Sequence, residues 1–106
     1  MKNREIIEAF KNNLKQLYGD NLHSVILYGS LARGEETEES DIDLIVVLKE
    51  MRDFWKEVRR IDELESSLEE KNSFEILISA IPLSLKDMGK AVTPLLMNVK
   101  KEGVVV

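Results

Sequence analysis

The chain has 106 residues, 43% of them hydrophobic, no cysteine and a formal net charge of −5. That length accommodates one domain with its own core, and the lack of cysteine excludes both a disulfide framework and a thiolate metal site. Without a basic face, binding to a long nucleic acid is not expected, and no apolar run approaches the ~18 residues that a membrane span needs. The N-terminal "MKNREIIEAF" is charged and amphipathic and lacks the apolar stretch of a signal peptide. The expectation is a soluble cytoplasmic protein.

Residues 4–18 place Ile7, Phe10, Leu14 and Leu17 at helical spacing, with Asn3 able to cap the start and Gly19 suited to the end. "SVILY" at 24–28 is short, apolar and followed by Gly29, which reads as a buried strand. "DIDLIVVL" at 41–48 is a second strand, alternating at first and then apolar on both faces, as a central strand would be. Residues 53–70 form a long amphipathic helix whose stripe is Phe54, Val58, Ile61, Leu64 and Leu68. Of Phe54 and Trp55, one is expected on the buried stripe and the other is free to contact a partner. "SFEILISAI" at 73–81 is a third strand, stopped by Pro82. Ser84 and Asp87 have capping-box spacing, with Leu83 and Met88 as a hydrophobic staple. A last helix starts with Thr93 as cap and Pro94 at its first position and ends before Gly103. The closing "VVV" adds a short edge strand. The order helix, strand, strand, helix, strand, helix, strand predicts an α/β (α+β) fold, a small mixed sheet with flanking helices. Strands 2 and 3 would be parallel across the long helix. The whole chain, 1–106, reads as a single domain.

The chemistry concentrates in "YGSLARGEETEESDIDLIVVL". Side chains alternate along a strand, so Asp41 and Asp43 share a face. Two carboxylates that close repel, and burying them unpaired is expensive. A divalent cation relieves the repulsion, and Mg²⁺ suits one or two carboxylates with substrate phosphates completing its shell. Gly29 lets the backbone approach a phosphate closely, and Ser30 offers a hydroxyl to the same group. Arg33 either contacts that phosphate or anchors the acidic loop, and Ser40 can orient Asp41. Glu75, the only acid in the third strand, is a candidate third carboxylate, as general base or further metal ligand. Glu35, Glu36, Glu38 and Glu39 read as a solvated loop face, and the single histidine, His23, is given no role.

Gly29-Ser30, ten residues, then Asp41-x-Asp43 resembles the signature of the DNA polymerase beta-like nucleotidyltransferase superfamily. "GSLARG…SDIDLIV" is similar to its minimal nucleotidyltransferase (MNT) branch, and "LLMNVKKEGVVV" resembles the closing helix and strand of that branch. Many minimal members carry aspartate where this chain offers Glu75. The resemblance implies that Asp41 and Asp43 hold Mg²⁺, with a second ion shared with Glu75. It implies that Gly29 and Ser30 bind the β- and γ-phosphates of ATP. It further implies a HEPN-domain toxin as partner, in a homo- or hetero-oligomer. AMP would pass from ATP to a hydroxyl of that partner, typically a tyrosine, and the protein would act as an antitoxin. A reading from another class is a binding module that neutralises its partner by complex formation, with little or no catalysis.

Overall fold

The computed structural model describes residues 3–29, 32, 41–72, 76–90 and 93–106. Helix α1 runs Asn3–Tyr18, and a single 3-10 turn, Gly19–Asn21, leads into β1, Leu22–Tyr28. Strand β2 is Ile42–Leu48, α2 is Phe54–Lys71, and β3 is Ile78–Ser84. Two short helices follow, α3 at Leu85–Lys90 and α4 at Pro94–Glu102, and β4 at Val104–Val105 ends the described fold. The sheet order is β3-β2-β1-β4. β1 is antiparallel to both β2 and β4, while β2 and β3 are parallel, α2 supplying the crossover that a parallel pair needs. This is the expected mixed sheet with flanking helices.

The two faces of the sheet carry separate apolar layers. Ile42, Leu44, Val46 and Leu48 of β2 pack with Val25, with Ile6, Phe10 and Leu14 of α1, and with Ile61 and Leu68 of α2. Ile45 and Val47, on the opposite face, pack with Val99 of α4 and with Ile26, Tyr28, Ile81, Leu83 and Met88. β2 is therefore buried from both sides, which explains why its sequence stops alternating after Asp43. At the far end from Asp43, Asn21 joins the two strands. Its side-chain amide donates to the Glu50 carbonyl and its side-chain oxygen accepts the Glu50 N–H, each at 2.9 Å.

Several sequence expectations shift by a residue or an element. In α1 the inner line is Ile6, Phe10 and Leu14, whereas Ile7 and Leu17 are half-buried. Asn3 is the first helical residue rather than a cap outside the helix. α2 is capped by Asp53, whose side chain accepts the Lys56 N–H at 3.1 Å. Neither Phe54, 38% exposed, nor Trp55, 67% exposed, joins the core; their rings meet edge to face at 5.1 Å. The buried position that replaces Phe54 on the stripe is Glu65.

The largest difference is β3. It begins at Ile78 and runs through Pro82, which is buried, instead of stopping before it. Proline has no N–H to give, so a strand tolerates it where that position faces away from the ladder. β3 is an edge strand, and two of its outward N–H groups are met by α2. The Ile78 N–H donates to Glu69 Oε2 at 2.9 Å and the Ala80 N–H to Glu65 Oε2 at 3.4 Å. The α4 reading holds throughout: Thr93 accepts the Leu96 N–H at 3.2 Å, Pro94 opens the helix and Gly103 ends it. Gly103 serves for space, since a Cβ there would lie 2.6 Å from Ile26 Cγ2 and collide with the Val99 carbonyl. No described helix is long and apolar enough to cross a membrane.

Burial pushes the Glu65 carboxyl up to about 8, reinforced by a hydrogen bond to Asp62 and the charges of Asp62 and Glu69, against the Ala80 N–H. Below about pH 4.5 both folded and unfolded chains hold this proton. As the pH rises to about 8 only the folded chain keeps it, so stability falls across that window. Glu65→Gln keeps an oxygen for Ala80 and an N–H for Asp62 without the titration. Its unfolding free energy should therefore exceed that of the unmodified chain by a margin that grows by on the order of 2–4 kcal/mol between about pH 5 and about pH 9. Urea denaturation at the two pH values measures this, and a constant margin would refute it.

Candidate active site

At the mouth of β2, Asp41 is exposed just before the strand and Asp43, its second residue, is half-buried. Alternation puts both on the face of Ile45 and Val47. The antiparallel register sets Tyr28 opposite Asp43 on one side, and the parallel register sets Ser79 opposite it on the other. Tyr28 is the last residue of β1, so the chain leaves the sheet at Gly29 directly beside Asp43. Gly29 has φ +79°, a backbone conformation that L side chains rarely adopt. A Cβ built on it would lie 2.7 Å from Asp43 Oδ2. Glycine is thus required twice over, by its dihedral and by the carboxylate seated against it.

Among the described residues the electrostatics of the site are set by its two carboxylates. Burial raises the Asp43 carboxyl above its ordinary value, and the charge of Asp41 raises it further. Burial and then Asp43 likewise raise the Tyr28 phenol. Two same-face carboxylates, one of them held up by burial and by the other's charge, are a donor set suited to a hard divalent cation. Among the described residues no group of three or more His, Cys, Asp or Glu side chains converges on such a position.

Of the residues singled out in the sequence, the structure brings Gly29, Asp41 and Asp43 together. Ser30, Arg33, Ser40 and Glu75 lie outside the described residues. Glu75 was expected within the third strand, but β3 starts three positions after it, and the residue opposite Asp43 is Ser79. Tyr28 was missed as a neighbour of the site. Its place next to Gly29 was visible in the sequence, but its pairing with Asp43 depends on the β1–β2 register.

These features define a class. The chain belongs to the nucleotidyltransferases: the family model described as Nucleotidyltransferase domain matches residues 7–106. It is an enzyme of that kind, and its fold is shared with a solved structure described as a "putative minimal nucleotidyltransferase". A Methanocaldococcus jannaschii relative named "Putative protein adenylyltransferase MJ0141" is 43% identical over 77 residues, covering 73% of this chain and 75% of the relative. That structure superposes with a TM-score of 0.58 at 24% identity, covering all of this chain and 97% of the "putative minimal nucleotidyltransferase". A toxin–antitoxin crystal structure with AMP-PNP gives a TM-score of 0.61 at 21% identity, over 98% of this chain and 72% of the other. A complex of a tri-AMPylated Shewanella oneidensis HEPN toxin with an MNT antitoxin gives 0.50 at 17% identity, over 94% and 70%.

The approach of Gly29 to Asp43 has a direct test. Gly29→Ala should cost about 1–3 kcal/mol of stability. In an Asp43→Ala background the cost should shrink, because only the dihedral strain remains. Equal costs in the two backgrounds, measured by chemical denaturation, would show that the contact contributes nothing.

Proposed function

We propose that the protein is a Mg²⁺-dependent adenylyltransferase that moves AMP from ATP to a hydroxyl, a tyrosine of a HEPN-domain toxin, and acts as its antitoxin. The observation that carries the reading is the seating of the Gly29 turn against Asp43, with Asp41 on the same face. It puts a backbone able to approach phosphate next to two carboxylates in need of a cation. The relative named as a protein adenylyltransferase and the fold shared with toxin–antitoxin structures, one with AMP-PNP and one with an AMPylated HEPN toxin, support the substrate and partner.

In this reading Asp41 and Asp43 hold the metal, with Glu75 as a third carboxylate. The ion, when bound, neutralises the triphosphate charge and polarises the α-phosphate. The chain's own residues do the rest by positioning. Gly29 and Ser30 would cradle the β- and γ-phosphates, Arg33 would contact the same phosphates, and Ser40 would orient Asp41. The acceptor oxygen bonds to the α-phosphorus as the bond to the β-phosphate oxygen breaks. Pyrophosphate leaves with that electron pair, and the hydroxyl proton passes to Glu75.

Incubating the protein with ATP, Mg²⁺ and the HEPN protein encoded beside it should raise the partner's intact mass by whole AMP units and silence its ribonuclease activity. Asp41→Asn combined with Asp43→Asn should slow transfer by about 10²–10³-fold or more. Silencing that persists undiminished in the double variant, with no mass gain, would replace transfer by neutralisation through complex formation.

A further inference from the structure

The peptide that joins Leu77 to Ile78 is engaged on both sides. Its carbonyl accepts the N–H of Ile42 at 2.9 Å. Its own N–H donates to Glu69 Oε2, also at 2.9 Å. Ile42 is the residue between Asp41 and Asp43, and Glu69 sits in the last turn of α2. A single peptide therefore connects a helix carboxylate to the backbone between the two aspartates.

The position of that link matters because of where β1 ends. The β1–β2 register stops at Tyr28 opposite Asp43. Asp41 and Ile42 project beyond it, so among the described residues the strand mouth is held from the β3 side, through Leu77. The Ile42 side chain is fully buried and anchors the strand from below. The direction in which Asp41 leaves that anchor is set by the peptide whose N–H Ile42 places on Leu77. Hydrogen bonds in series polarise one another, and a carboxylate at the far end strengthens the chain.

We propose that Glu69 is a positioning residue for the two-aspartate site, holding the Leu77–Ile78 peptide so that Asp41 stays aligned with Asp43. The inference rests on the reading of Asp41 and Asp43 as cation ligands. Glu65 provides an internal comparison. It makes the same kind of bond one rung further along, to the Ala80 N–H, but Ala80 lies opposite Leu44 in the core and away from the strand mouth. Glu65 should therefore matter to stability and not to the metal.

The test is Mn²⁺ binding by the purified chain, followed by electron paramagnetic resonance, with thermal unfolding recorded alongside. Glu69→Ala should weaken Mn²⁺ binding about tenfold, while Glu69→Gln, which keeps an acceptor oxygen, stays within about twofold of the unmodified chain, as does Glu65→Gln. Unchanged affinity in Glu69→Ala, with affinity lost in Asp43→Asn, overturns the inference and leaves the site reading standing. Unchanged affinity in Asp43→Asn overturns the site reading itself. Should Glu69→Ala fail to fold, Glu69→Asp, one methylene short of the Ile78 N–H, replaces it: the same weakening is expected, and unchanged affinity overturns the proposal.

Discussion

β2 is hydrogen-bonded along both edges, to β1 and to β3, and six of its seven side chains are removed from water. Ile42, Leu44, Val46 and Leu48 face one apolar layer, and Ile45 and Val47 face the other. Each such side chain contributes about 1.5–3 kcal/mol by leaving water, and every backbone polar group of a buried strand must find a partner. A slip of one residue would exchange the two faces and carry Asp43 into hydrocarbon. The place of Asp43 is thus set by the packing of its neighbours, and the site inherits the rigidity of the core.

The same constraint explains the polar residues on α2. A sheet whose central strand is so thoroughly buried still has edges, and an open edge invites pairing with another chain. On β3 the outward N–H groups of Ile78 and Ala80 meet Glu69 and Glu65, and Pro82 has none to offer. Placing a carboxyl at Glu65 is costly, as its raised titration shows. Leaving two edge amides without partners under a helix would be costly as well. α2 also ties to α1 through polar contacts: the Tyr18 hydroxyl and Arg60 both donate to Glu57 Oε1, at 3.0 and 3.1 Å, with the guanidinium over the Tyr18 ring.

Where local chemistry decides structure, the sequence was readable. Thr93, Pro94 and Gly103 bracket α4 because capping and proline geometry involve only near neighbours. β2 was readable because its composition reports burial on both faces. The errors share one cause. Pro82 reads as a stop unless β3 is known to be an edge strand, and nothing local in the sequence marks Glu65 as buried against the Ala80 N–H. Phe54 reads as core because the helical period points there, yet the apolar layer ends before the first turn of α2. Each depends on partners far away in the chain.

The candidate site divides along the same line. The sequence by itself determined that Asp41 and Asp43 share a face and that a glycine turn precedes them, because alternation and turn chemistry are local. It also carried the family signature. The tertiary structure alone decided that Gly29 touches Asp43, that Tyr28 and Ser79 flank it, and that Glu69 reaches the strand mouth through one peptide. Those contacts follow from strand register and from the packing of α2 on β3, which are settled by the burial of the whole core rather than by any stretch of residues within it.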